Sequence, residues 1–317
     1  MSNYRFTLEK YSGQNSRYTC PKCKMKKEFT RYIDTESNQY IAEHVGRCNR
    51  LDNCGYHFPP REYFKNNNVK YKAVPTRTIK QPKTPTYFFD KILVDGSLHC
   101  DDNVSNLFIF LASIFPKEKV FNTLNKYCVG VSKNLLGAIV FWQVDTKNRV
   151  RAGKVMQYNK ITGRRSKKFI NWIKKPSNSN SKIRQCFFGV HLLRENPNTK
   201  VAIVESEKTA LICDLYFDKK EDEKLIWISS GGLQGLNEEG FKDLIGREVI
   251  LFPDLSAADT KDKAISIWAK KGKEIGEKLK IDIKLNTHLE KIATDEQREK
   301  QDDIADFIIR ELKTEVY

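Results

Sequence analysis

From Thr199 onward the sequence alternates short apolar runs with segments of helical spacing, and few folds accept that pattern. Residues 201–204 (VAIV) are continuously apolar, and Ala210, Leu211 and Leu215 then follow at helical intervals. The unit recurs: "LIWISS" precedes "EEGFKDLI", and "REVILFPD" precedes "KAISIWAKKGKEIGEKLK". Continuous apolar runs are strands covered on both faces, and their alternation with helices predicts a parallel sheet flanked by helices over residues 196–317. Such sheets bind ligands beyond the carboxyl ends of their strands. Two of the runs stop there on an acid, Glu205 and Asp254, and the run between them ends in "SSGGLQGL". Gly231 and Gly232 in that turn let backbone come close to a phosphate. "KQDDIADFIIREL" adds Asp302, Asp303 and Asp306. Carboxylates gathered at one sheet edge make an oxygen-rich pocket suited to Mg2+ or Mn2+, and hence to phosphoryl transfer.

The charge of the chain is divided unevenly. Residues 1–195 hold 36 Lys+Arg against 14 Asp+Glu, and residues 196–317 hold 20 against 26, of totals of 56 and 40. A basic front calls for a polyanion. Polar, proline-dotted sequence over residues 66–86 reads as a linker after a first domain at 1–65. Residues 87–195 are expected to form a basic α+β middle domain: two apolar-faced helices broken at Pro116, then paired strands with polar turns at 145–148 and 159–163. Between residues 149 and 184 there is no acid, and Arg149, Arg151, Lys154, Arg164, Arg165, Lys167 and Lys168 sit close to Trp142, Tyr158 and Trp172. Cations that follow phosphates beside rings that stack on bases are what a single-strand platform needs. The competing reading is a solvated hairpin with its rings turned inward. No membrane span, signal peptide or GxxxxGK[ST] phosphate loop is present, which points to a cytoplasmic location and excludes an NTP-driven motor.

Four of the eight cysteines cluster early, as Cys20-x2-Cys23 and Cys48-x5-Cys54. Each short knuckle can aim two thiolates at one point, and two knuckles close a tetrahedron around structural Zn2+. His44 or His57 could replace one ligand. The other four cysteines are scattered, which argues against a disulfide frame.

Taken in order, "VAIVESEKTAL", "SSGGLQGL" and "VILFPDLS" resemble the TOPRIM domain of bacterial primases, topoisomerases and some nucleases. The cysteine ribbon followed by "AIVFWQVDTKNRVRAGKVMQY" resembles the zinc-binding and basic subdomains of bacterial and phage primases, and the likeness is closest to primase-like TOPRIM proteins of bacterial mobile elements. The resemblance implies an α/β chain of zinc ribbon, basic middle domain and TOPRIM sheet that makes primers on single-stranded DNA from nucleoside triphosphates, with a separate helicase as a partner. It implies that Glu205 is the general acid or base and Asp254 the first acid of a metal-binding DxD motif. Ser256 stands where the second acid is expected, so metal binding there would use Asp259, a water-mediated contact or nothing, and Asp302 or Asp303 would match the family's later Mg2+-binding acid. A TOPRIM nuclease, or an inactive DNA-binding adaptor that keeps the fold, are the alternatives.

Overall fold

The chain divides into two units, residues 1–83 and 84–317. The computed structural model describes residues 4–50, 53–67, 84–101, 103–218 and 224–314, with the backbone alone at 167–169. Most of the expected linker, residues 68–83, lies outside the described residues.

In the first unit, β1 (Phe6–Leu8), β2 (Phe29–Asp34), β4 (Gly46–Cys48) and β5 (His57–Phe58) form an antiparallel sheet in that order, and β3 (Gln39–Tyr40) folds back on β2. Helix α1 (Pro60–Asn66) follows, with proline at its first position, where the missing N–H costs nothing. The cluster at the centre of the knuckles is small: Cys20, Phe29 and Cys48 are its fully buried members, packed by Tyr18 and Tyr56. So few buried apolar groups stabilise a unit of this size poorly unless a metal ties the strands together.

The second unit is built on two four-stranded sheets. The segment β6 (Thr86–Tyr87), α2 (Ile92–Asp95), α3 (Asn106–Ala112) and α4 (Lys117–Lys126) leads into β7 (Val129–Val131), β8 (Ile139–Val144), β9 (Val150–Tyr158) and β10 (Arg165–Trp172). These four strands are antiparallel in the order β10-β9-β8-β7, and β11 (Lys182–Ile183) pairs with β6. The parallel sheet then runs through β12 (Lys200–Val204), α5 (Glu207–Phe217), β13 (Leu225–Ser229), α6 (Glu238–Phe241), β14 (Glu248–Phe252), α7 (Ala264–Leu279) and β15 (Asp282–Leu285), in the order β13-β12-β14-β15. Helices α8 (His288–Ile292), α9 (Asp295–Glu299) and α10 (Ile304–Thr314) complete it.

Strand β12 is central, and its last four residues are wholly inaccessible. Its period of two divides them between two cores. Ala202 and Val204 join Trp227, α5, α10 and the inner face of the antiparallel sheet (Ile139, Phe141, Met156, Tyr158), whereas Val201 and Ile203 join Ile226, Ile228, Val249, Leu251 and Trp268 of α7. The first of these cores draws side chains from both sides of residue 195. The boundary expected between residues 195 and 196 therefore does not separate two cores, because the inner face of the antiparallel sheet packs on α3 and α4 and on the α/β half in one cluster. The sequence pattern also passed over β15, an edge strand whose Asp282 and Lys284 are exposed, and α8 to α10. "EEGFKDLI" yields only the single turn of α6 followed by a 3-10 turn. Among the described residues no helix is long and apolar enough to cross a membrane.

Candidate metal centre and acidic cavity

In the first unit the two knuckles turn tightly. Lys24 N–H donates to Cys20 O at 3.0 Å, and Cys54 N–H to Arg50 O at 2.9 Å. Gly55 takes φ of +61°, a left-handed turn that a side chain would strain. The sulfurs of Cys20, Cys23, Cys48 and Cys54 lie within 4.8 Å of one another, with Cys20 to Cys54 at 3.7 Å and Cys23 to Cys48 at 4.0 Å. Thiolates about 2.3 Å from a tetrahedral zinc stand about 3.8 Å apart, so the four fit structural Zn2+ with no position left open for chemistry. Neither histidine is needed: His57 Nε2 bonds the Tyr32 hydroxyl at 2.9 Å, and His44 stacks on Phe58.

In the second unit three elements converge at the carboxyl edge of the parallel sheet. Glu205 leaves β12 one residue before Ser206, whose Oγ caps α5 by accepting from Thr209 N–H at 3.1 Å. Asp254 stands two residues beyond β14, and Asp303 stands immediately before α10. All three line a cavity of about 330 Å3, with Gly231 and Gly232 on the turn after β13. Glu205 is fastened to its neighbour, Oε1 accepting from Asp254 N–H at 3.3 Å. Asp303 accepts from the Thr209 hydroxyl and exchanges backbone bonds with Asp306, each carboxylate accepting from the other's N–H at 3.0 and 3.1 Å.

Burial and repulsion between neighbours raise the carboxyls of Glu205, Asp254 and Asp306 above the usual carboxylate range. Glu205 is pushed up to about 7 by burial and by Asp303, against the bond from Asp254 N–H. Asp254 is raised well above the carboxylate range by burial, then by Asp303, Glu205 and Asp306, with Lys208 opposing. Asp306 is raised to about 6 by burial and by Asp303. Repulsion of this kind is what a divalent cation relieves, and hard carboxylate oxygens are the donors Mg2+ and Mn2+ prefer. Glu205, Asp254 and Asp303 are less tightly drawn together than the thiolates, since among the described residues only the cysteines bring three or more ligand atoms within 4.8 Å.

Cations face the acids. Arg165 and Lys208 line the cavity, and so does Lys154, whose ammonium bonds both Glu207 oxygens at 2.8 and 3.0 Å. The other expected residues lie elsewhere. Asp302 is paired with Arg310 at 2.7 Å, and Asp259 is exposed on a turn apart from the cavity. Ser256 is engaged as a cap: its Oγ accepts from Ala264 N–H, the first residue of α7, at 2.8 Å. Arg149 and Arg151 are ion-paired to buried Asp145, at 2.8 and 3.2 Å. The acid-free run thus finds a counterion just outside itself. Arg164 is exposed on the β9–β10 hairpin. Trp172, half-buried, is the register partner of Lys154 and lines a groove of about 1020 Å3 with Asn171 and Lys174. The side chains of Lys167 and Lys168 lie outside the described residues. Glu207 and Lys208 were missed by sequence reasoning, whereas Asp306, offered with Asp302 and Asp303, stands beside Asp303 at the start of α10. Glu207 and Lys208 adjoin the strand-end acid in "VESEK", and first-turn positions of a helix that starts at a sheet edge face the same crevice.

Residues 4–69 match the profile of a putative zinc beta-ribbon finger, and residues 105–255 match that of a domain of unknown function (DUF6371). No curated protein matches the sequence. The primase fragment of the bacteriophage T7 primase-helicase protein aligns with 95% of this chain and 96% of its own, at 13% identity and a TM-score of 0.40. The zinc-binding and RNA polymerase domains of the Aquifex aeolicus primase align with 98% of this chain and 79% of their own, at 13% identity and a TM-score of 0.43. These are partial likenesses of shape.

Proposed function

We propose that the second unit carries a metal-dependent nucleotidyl-transfer site of primase type, which extends a short primer on single-stranded DNA from nucleoside triphosphates in replication or transfer of a mobile element. The observation that supports this reading is the meeting of Glu205, Asp254 and Asp303 in one cavity with Lys208 and Arg165 opposite. Asp254 and Asp303 would hold Mg2+ or Mn2+, directly or through water, and the ion would supply charge neutralisation at the phosphates. Glu205, pushed up to about 7, would in its ionised form take the proton of the attacking hydroxyl and in its protonated form give a proton to the departing pyrophosphate. Lys208 and Arg165 would orient the polyphosphate, and the exposed hairpin carrying Arg164 would hold the template strand. A helicase would be a separate chain.

The test is primer synthesis on single-stranded templates with Mg2+ or Mn2+ and each nucleotide set. Glu205→Gln is expected to lower turnover by at least about 100-fold with DNA binding intact, and Asp254→Asn to raise the metal concentration required. Cleavage without NTP-dependent product would identify a nuclease instead. Ser256, used as a helix cap where the second DxD acid is expected, favours a third reading, an inactive DNA-binding adaptor, and a parent with no product and no response to Glu205→Gln would establish it.

A further inference from the structure

Lys154 occupies a place where a lysine is costly. It lies on β9 on the same face as Ala152, Met156 and Tyr158, all buried, and its side chain is 9% exposed. Its partner Glu207, at the start of α5, is 1% exposed. Two charges removed from water are repaid poorly by their attraction, and an apolar pair of similar volume would stabilise this junction as well or better. The pair is also not a simple bridge between two side chains. The ammonium meets Glu207 Oε1 at 2.8 Å, Glu207 Oε2 at 3.0 Å and, at 3.4 Å, the carbonyl oxygen of Gly231. Gly231 can present that carbonyl because it adopts φ of +83°. Three oxygens from two elements thus surround one positive charge inside the cavity that holds Glu205, Asp254 and Asp303.

We propose that the Lys154 ammonium is a resident cation of this cavity, occupying a cage of Glu207 and Gly231 oxygens that would otherwise take a divalent ion, and so limits the cavity to one exchangeable divalent cation. The proposal rests on the reading of the cavity as a divalent-metal site, and it assigns Lys154 and Glu207 to positioning rather than to contact with reacting atoms. A carboxylate held bidentate by an ammonium is not available to a second ion, and the fixed charge stays at any metal concentration.

The experiment counts Mn2+ bound to the zinc-loaded full chain by calorimetry and by the electron paramagnetic resonance of free Mn2+. The parent is expected to bind one equivalent, lost in Asp254→Asn. Lys154→Ala, which empties the cage, is expected to bind one more, and Lys154→Ala/Glu207→Gln to lose that addition. Mn2+ should raise the melting temperature of Lys154→Ala by more than it raises that of the parent or of the double variant, each of which keeps one bound ion. A parent that binds two equivalents, one of them abolished by Glu207→Gln, overturns the proposal, as does a folded Lys154→Ala variant whose count equals the parent's. If the parent binds none and Lys154→Ala binds one through Glu207, the cage stands and the reading of the acidic site falls; if neither binds, both fall. Should Lys154→Ala fold under no condition, Glu207→Gln alone decides, because it must leave the parent's count unchanged.

Discussion

Glu205 emerges from β12 with its carboxyl buried and a single N–H bond from Asp254, so water is replaced by too few donors to keep it ionised. The consequence is a stability that depends on pH. The unfolded chain ionises this group near 4.5 and the folded chain near 7. Between these values the folded state binds the extra proton, so the stabilisation is complete below about 4.5 and is lost as pH rises through about 7. Metal-free protein is therefore expected to weaken from pH 5 to pH 8. Glu205→Gln, which cannot ionise, should exceed the parent at pH 8 by up to about 3 kcal/mol. Urea unfolding of both proteins at the two pH values checks this, and parallel losses would place the titration elsewhere.

At the scale of elements, the site is made of ends. Strand β12 stops where α5 is capped by Ser206, β14 stops two residues before Asp254, and α10 starts at the reciprocal bonds of Asp303 and Asp306. Helix α7 is capped from a distance by Ser256, eight residues upstream of Ala264. Ser256→Ala should cost about 1 kcal/mol of stability, the usual worth of a cap. Ser256→Asp should keep that cap, because a carboxylate accepts the same N–H. With its carboxylate so engaged, it should leave Mn2+ affinity within about twofold of the parent's. Denaturant midpoints and metal titrations on the two variants read these effects separately, and a clear gain in metal affinity for Ser256→Asp would show that the position reaches the cavity.

At the scale of the whole molecule, each unit contains what it needs to fold. The first has few buried apolar side chains and four converging thiolates, whereas the second has large apolar cores of its own. Cys23→Ser is expected to abolish bound zinc and expose residues 1–65 to protease while residues 84–317 stay resistant; quantified metal and mapped fragments report this directly. Among the basic residues, Arg164 and Arg165 should govern binding of single-stranded DNA. Changing both to Ala should weaken it and flatten its salt dependence, because fewer counterions are released. Arg149→Ala should instead act on stability, through the loss of a partner to buried Asp145.

The local pattern carries much of this. Alternating apolar runs specify the parallel sheet because burial on both faces leaves no other reading of VAIV between polar flanks. Knuckle spacing specifies the thiolate site because short loops fix where the sulfurs point. Strand ends mark Glu205 and Asp254 because open α/β sheets place their crevice there. The rest depends on contacts between distant segments, to which local periodicity is blind. Only the tertiary structure pairs Lys154 with Glu207, 53 residues away, and brings Asp303 rather than Asp302 or Asp259 to the cavity. It also assigns Ser256 to a helix end and merges residues either side of 195 into one core. Sequence spacing decides which face of an element a residue occupies, but which partner meets that face follows from how the sheets pack.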